Sequence, residues 1–571
     1  MHRIAAIPGG WDPDQEGVVL IDQTPAPIVF LTAADTEIQT LAAAISLLPP
    51  DFPGLRVANL LNLQQQLTID TYAEDILEKA EVIIVRLLGG RAYWPYGLEV
   101  VGETVRQTGS ALFVLPGDDR PDPDLLSHST VSLGAVHQLW RYLTEGGIEN
   151  LYHGLLFVAH TCLGRPYQPP EPQVVAQVGK WTVGSSRAIG SGSSPTSDEI
   201  ATKHGSTRAG ESNKGKVGIL FYRAHYLAGN TQPIAALCQA LSDRGLEAVP
   251  IFVASLRDLD VQAEIVTLFQ PQGEPAVDLI LNTTSFAIAQ LDQPSGFNPA
   301  VPACDFAQTK TYTLWEKLEV PVLQVILSGG TVEQWQAQYQ GLSPRDIAMN
   351  VALPEVDGRV ITRAVSFKSV QTRQAQIETD VVTYQPVSDR IQFVADLAAN
   401  WVRLGQTPVS ERKIALILAN YPSNDGRLAN GVGLDTPASC VEILQALHQA
   451  GYRVENLPGS SDALMQRLTR GVTNSLEGRE LRPVQQQLAL EDYQYWFQQL
   501  PEVVRQGIQR RWGLPDRAFA IAGLQLGHIF VGIQPARGYD KDPALNYHAP
   551  DLEPTHDYLV FYCWLRQQFG V

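Results

Sequence analysis

Short runs of β-branched and aliphatic residues alternate with stretches whose apolar positions recur at helical spacing, and the alternation returns along most of the chain. The first portion reads PIVFLTAADT, a helix from about Glu37 to Leu48, LRVANLL, the helical AEDILEKA, VIIVRLLGG, LEVVGETVRQTG and ALFVLPG. Continuous apolar runs separated by amphipathic helices predict parallel strands joined by crossover helices, because only a strand covered on both faces is apolar throughout. The expected fold class is therefore α/β, with several doubly wound parallel-sheet units in a multidomain chain. Polar loops follow the strand ends Leu31, Leu88 and Leu115, where such sheets place ligands, although Gly and Asp there also suit plain turns.

A second unit opens at Lys216 with VGILFY, the loop RAHYLAGNTQ, the helix PIAALCQALSDRG and the strand EAVPIFV, and continues through VDLILNTTSF, LWEKLE and PVLQVIL. Its loops Arg223 to Thr231, Asn282 to Ser285 and Ser328 to Thr331 all follow strands and are expected at one sheet edge. A third unit follows the helix DRIQFVADLAANWVRLG. It has the strand KIALILANYP, the loop SNDGRLANGVGLDTP, the helix ASCVEILQALHQAG, the strand-like YRVENLP, a Gln-rich helical insertion, FAIAGLQLGHIFVGIQP and a last helix DYLVFYCWLRQQF. Between the first two units lies a Gly, Ser, Pro and Thr-rich stretch with few large apolar residues, the composition of a linker or insertion. The expected domains are thus 1–163, a linker or insertion 164–215, 216–405, and 406–571 with its helical insertion.

Composition narrows the function classes. The 571 residues are 44% hydrophobic and 18% charged, the balance of an ordinary globular protein, and no apolar run is long enough to cross a membrane. A formal charge of −18 without a compensating Lys/Arg cluster argues against nucleic acid. The opening MHRIAAIPGGWDPDQEG reaches Pro-Gly-Gly and acidic residues before an apolar signal core, so no secretion signal is expected. Cys162, Cys238, Cys304, Cys440 and Cys563 are scattered without a C-x-x-C, which fits a reducing cytoplasm better than a disulfide or zinc framework. Gly210 and Gly215-Lys216 have the spacing of a phosphate-binding loop, yet Val217 stands at the Ser/Thr position and the run precedes a strand instead of following one. ATP binding by this chain is not expected.

The ordered segments FYRAHYLAGNTQPIAALCQAL, LILNTTSF, PVLQVI, VALPEVDGRV, NYPSNDGRLANGVGLDTPAS and GYDKDPALNYHAPDLEPTHDYLVFYCWL resemble the large subunit of cobaltochelatase, the CobN family, and more loosely that of magnesium chelatase. The opening TPAPIVFLTAADTEIQTLAAA and VRLLGGRAYWPYG is also of the cobalt type. The resemblance covers the chain apart from the linker. It implies insertion of Co²⁺ into hydrogenobyrinic acid a,c-diamide on the way to cobalamin, with ATP and Mg²⁺ used by separate AAA+ partner subunits. Magnesium insertion into protoporphyrin IX is the alternative within the enzyme class, and a non-catalytic scaffold that docks the AAA+ subunits is the alternative outside it. Family members continue into a His-Gly…Glu-Trp-Leu-Pro-Gly-Lys segment with an essential carboxylate. The sequence lacks it, so the chain is expected to be a fragment that is inactive alone.

A large subunit with this task has to hold a flat macrocycle with carboxylate edges, remove pyrrolic protons and deliver a metal ion. Imidazole suits both cobalt and proton transfer, which singles out His548 and His556, with Asp551 and Glu553 between them. His556 is the expected catalytic group, and His548, His556 and Glu553 the expected metal ligands; helix capping by Thr555 or Asp557 with solvated histidines is the other reading. Arg223, His225 and Asn230 are expected to bind substrate carboxylates, unless Arg223 merely braces its loop. Asn420, Asn424 and Arg427 are expected to line a polar cleft, or to form a turn.

Overall fold

The computed structural model describes residues 20–117, 120–183, 215–272, 276–288, 313–338, 340–420, 425–475, 477–515, 517–538 and 552–569. Two compact units divide between Ala399 and Asn400.

The first unit contains two sheets. Strands β1 (Ile28–Thr32), β2 (Leu55–Asn59), β3 (Val82–Leu87) and β4 (Ala111–Pro116) are all parallel and lie in the order β2-β1-β3-β4. Every residue of β1 is buried, because the two-residue period sends Ile28 and Phe30 to one face and Val29 and Leu31 to the other. On one side Ile28 and Phe30 meet Ile38 and Leu41 of the helix Asp35–Ile45 together with Leu139 and Leu155. On the other, Val29 and Leu31 meet Ile69, Leu98 and Val101. The helix Pro95–Thr108 that carries Leu98 and Val101 starts with Pro in its first turn and stops at Gly109, whose φ of 77° closes it in the left-handed region.

The second sheet comprises β5 (Val178–Lys180), β6 (Lys216–Tyr222), β7 (Glu247–Val253), β8 (Leu279–Asn282), β9 (Val322–Leu327), β10 (Val360–Gln374) and β11 (Thr379–Pro386), in the order β11-β10-β9-β8-β6-β7-β5. Five central strands are parallel, and β5 and β11 close the edges antiparallel. Residues 178–180, expected in a linker, are therefore part of this sheet. The β10–β11 hairpin reaches back to the first sheet: Ile377 at its tip is fully buried in that sheet's core, and its carbonyl accepts from the Val57 amide.

The second unit has a smaller sheet, β12 (Ile414–Leu418), β16 (Ile529–Ile533) and β15 (Gly523–Leu526) in that order, and a separate antiparallel pair, β13 (Gln486–Leu488) with β14 (Phe519–Ile521). β12 runs parallel to β16, and β15 forms an antiparallel hairpin with it. The strand-like YRVENLP makes only a single bridge, Val454 with Gly527, since a run that mixes Arg, Glu and Asn offers no continuous apolar face. The helices Thr436–Gln449 and Ser461–Arg470 cover one face of the sheet, and Leu490–Gln498 and His556–Phe569 share a second core around Tyr493, Phe530 and Trp564. Among the described residues no helix is long and apolar enough to cross a membrane.

Candidate functional site

Each unit gathers polar side chains where its parallel strands end. In the first unit β6 ends at Tyr222, and Arg223 opens a short helix, Arg223–Leu227. The Arg223 guanidinium is buried and committed to main-chain oxygens: Nε donates to Ala176 at 2.8 Å, and Nη2 to Glu145 at 2.7 Å and Val175 at 3.0 Å, while Nη1 donates to Thr144 at 3.3 Å. It ties β6 to the end of the helix Leu133–Glu145 and to the segment leading into β5. His225 is buried as well, and its Nδ1 has no hydrogen-bond partner among the described residues. Burial, followed by the nearby Lys368 charge, lowers its pKa to about 4, so the ring is neutral at physiological pH. Asn230 links this loop to β11: its Oδ1 accepts from the Tyr384 amide at 3.2 Å, and its own amide donates to the His225 carbonyl at 2.9 Å.

Residues not singled out by local pattern complete this edge. The Tyr384 ring meets His225 edge-on with centroids 5.2 Å apart, and the Lys368 ammonium lies 5.9 Å from the Tyr384 ring. Lys368 pairs at 2.6 Å with Asp35, the first residue of the helix after β1, and Asn59 donates to the same carboxylate at 2.9 Å. Two of the three expected loops are joined through a third segment: Ser285 donates to Asn350, and Asn350, Ser328 and the Gly329 amide all donate to Asp346, while Ser285 also bonds with Tyr222, the last residue of β6.

In the second unit Leu418 and Ile533, the last residues of β12 and β16, are register partners, so the loops expected to hold Asn420 and Glu553 start side by side. Asn420 is buried, and its Oδ1 accepts from Asn474 Nδ2 at 2.7 Å, which also donates to the Gln534 carbonyl at 2.7 Å. Asp425 accepts from Thr473 Oγ1 at 2.6 Å and from Arg482 at 2.7 Å, and Arg482 donates through its other arm to Thr473. Burial alone would push the Asp425 carboxyl up, but the bonds from Arg482 and Thr473 outweigh it and hold the carboxyl below its usual range. Arg427 is exposed beside this network. Asn424, His548 and Asp551 lie outside the described residues.

The histidine expected to act on metal or proton is enclosed. His556 Nε2–H donates to the Gly513 carbonyl at 3.0 Å and Nδ1 accepts from the Tyr493 hydroxyl at 2.8 Å, with the ring edge-on to Tyr493 and Phe497. Thr555 caps the helix His556–Phe569 by accepting from the Tyr558 amide. Glu553 pairs with Arg511 at 2.6 Å, and its carbonyl accepts from the Trp512 indole. Among the described residues no group of three or more His, Cys, Asp or Glu is arranged to hold a metal ion.

Residues 140–571 match the family described as CobN/Magnesium Chelatase. The aerobic cobaltochelatase subunit CobN of Pseudomonas aeruginosa is 42% identical across 100% of this chain, which spans 43% of that relative. The chloroplastic magnesium-chelatase subunit ChlH of Oryza sativa is more distant, 24% identical over 62% of this chain and 24% of its own length. The catalytic subunit of cobaltochelatase from Mycobacterium tuberculosis has a similar fold, with a TM-score of 0.61 at 28% identity, covering 94% of this chain and 41% of that structure. The chain thus spans less than half the length of the cobaltochelatase subunits it resembles, and it belongs to the CobN/magnesium chelatase family.

Proposed function

We propose that the chain supplies part of the tetrapyrrole-binding surface of a cobaltochelatase large subunit, which inserts Co²⁺ into hydrogenobyrinic acid a,c-diamide. The observation that carries this reading is the polar edge where β12 and β16 end together. There the Asp425–Arg482–Thr473 group and the Asn420–Asn474–Gln534 group adjoin, and a macrocycle rimmed by carboxylates and amides needs such fixed donors and acceptors. The greater likeness to a cobaltochelatase subunit, 42% against 24% for the magnesium enzyme, favours cobalt over magnesium as the metal substrate. ATP and Mg²⁺ are assigned to AAA+ partner subunits, in keeping with the run ending at Gly215-Lys216, which leads into β6 where a phosphate-binding loop would follow a strand. The chain alone is proposed to bind tetrapyrrole without completing metal insertion.

Titration of the chain with hydrogenobyrinic acid a,c-diamide, followed by tryptophan quenching, tests the reading. A saturable quench that weakens in Arg482→Gln is expected, with protoporphyrin IX binding less tightly. A folded chain whose fluorescence shows no saturable response to the diamide sinks the proposal.

A further inference from the structure

The outer side of β10 is only partly paired. β11 meets it from Ser366 onward, and the stretch Val360–Arg363 before that has β9 on one side and, among the described residues, no strand on the other. The pairing with β9 also slips twice here, by three residues against two between Ile361 and Ala364 and by two against one between Ala364 and Ser366. Arg363 is left without a register partner. Extra residues of this kind bend a strand and re-aim its side chains.

Two cations stand where β10 is irregular. The Arg363 guanidinium lies 3.4 Å from the centre of the Phe393 ring, and the Arg390 guanidinium 4.7 Å from the centre of the Trp335 ring. Arg390 Nε donates to the Ala364 carbonyl, next to Arg363, and Phe393 follows Arg390 by one turn of the helix Ser388–Gln406, so the two guanidiniums share one patch. Trp335 is backed in turn by Phe367, with ring centres 5.2 Å apart. Among the described residues neither arginine pairs with a carboxylate, and Asp396, further along the same helix, is already taken by Arg244 at 2.8 Å. Burial and then Arg363 lower the Arg390 pKa, and the exposed Asp389 does not offset them, as expected of two like charges held together. The ring faces hold both guanidiniums flat, which removes rotamer freedom before any partner arrives. Phe393 and Val360 are themselves exposed.

We propose that this patch docks an extended acidic segment of a partner protein, whose carboxylates pair with Arg363 and Arg390 while its main chain runs along the uncovered side of Val360–Arg363. Charge complementarity selects the occupant: in a chain of net charge −18, two arginines without counter-charges form a local positive spot that carboxylates satisfy. Arginines stacked on partly exposed aromatic rings are the kind of group that anchors protein interfaces. An extended segment fits because an unpaired strand edge presents main-chain donors and acceptors in a row, and a guanidinium fork matches a carboxylate. All of these residues belong to the first unit, so the proposal does not depend on the tetrapyrrole reading of the second.

Fluorescence anisotropy of a labelled hexaglutamate peptide titrated with the full chain tests this, with a hexaglutamine peptide as the neutral comparison. Saturable binding of hexaglutamate alone is expected, weakened by about fivefold or more in Arg363→Gln and in Arg390→Gln, and abolished in Arg363→Glu. Arg363 touches its surroundings through the Phe393 ring, so its replacement leaves the sheet in place. Absence of saturable binding, equal binding of hexaglutamine, or unchanged affinity in either variant that stays folded overturns the proposal. Displacement of the peptide by inorganic phosphate at constant ionic strength would make a small oxyanion the occupant instead. Self-association of the parent that Arg363→Glu abolishes would assign the patch to a second copy of the chain, and either result also overturns it.

Discussion

Tyr493 donates its hydroxyl to Nδ1 of His556 at 2.8 Å, and the opposite ring nitrogen is already spent on the Gly513 carbonyl at 3.0 Å. Burial raises the Tyr493 pKa, so the phenol keeps its proton and remains a donor. His556 therefore ties the start of the last helix to the core around Phe497 and Phe519, with no ring nitrogen spare for a cation in this arrangement. His556→Ala should lower the unfolding free energy by about 2–4 kcal/mol, from the lost ring packing and two lost buried bonds. Tyr493→Phe should cost about 1 kcal/mol. Urea unfolding measures both, and Co²⁺ titration of the folded His556→Ala variant should match the parent. A large loss of cobalt affinity would restore a metal role for the ring.

The bond between Asp425 and Arg482 predicts a pH response. Because the folded carboxyl titrates below its unfolded value, it contributes stability above about pH 4 and gives it up as the pH falls through the folded pKa. Arg482→Gln should reduce stability at pH 7 by about 1 kcal/mol, since the pair is partly solvated, and should flatten the acid limb of the stability curve. Urea midpoints at pH 7 and pH 3.5 check this; parallel curves for parent and variant would show that the pair carries no linkage.

Strands β1, β3, β6 and β9 were legible because each is an uninterrupted run of five to seven mostly apolar residues, buried on both faces. The β10–β11 hairpin was not: β11 is half-buried along almost its whole length, so it mixes Thr, Asp, Tyr and Gln with Val and presents no apolar run. Lys368 and Tyr384 ride on that hairpin and were missed with it. The loops after β6 and β12 were recognisable as polar strand ends, but a side chain's partner is decided at long range. Arg223 finds its acceptors in residues 144–145 and 175–176, and Asp425 finds Arg482 from 57 positions away. No local spacing encodes those meetings, so the choice between bracing and binding became visible only in the fold.

Ile377 provides a test of the tie between the two sheets of the first unit. It is fully buried in the core of the first sheet, while its neighbour Glu378 accepts from Thr24 and pairs with Arg56 at 2.9 Å. Ile377→Ala removes apolar contact at a place the sheet cannot readily collapse to fill, at a cost of about 2–4 kcal/mol. Hydrogen exchange should quicken in β2 and in the β10–β11 hairpin while β7, on the far side of the second sheet, keeps its protection. Uniform loss of protection across the unit would mean that the hairpin tip does not act locally.

His225 makes the widest pH window. Its pKa is lowered from 6.5 to about 4, first by burial and then by Lys368, so between those values the unfolded chain takes up a proton that the folded chain refuses. Stability from this group is complete above about pH 6.5 and drains away as the pH falls toward 4, by about 2 kcal/mol at pH 5. His225→Phe keeps an aromatic edge against Tyr384 and cannot titrate, so its unfolding free energy should change less between pH 7.5 and pH 5 than the parent's, by about that amount. If the parent and His225→Phe lose the same stability over this range, the imidazole is not held neutral by its burial, and the unpartnered Nδ1 has a neighbour in solution.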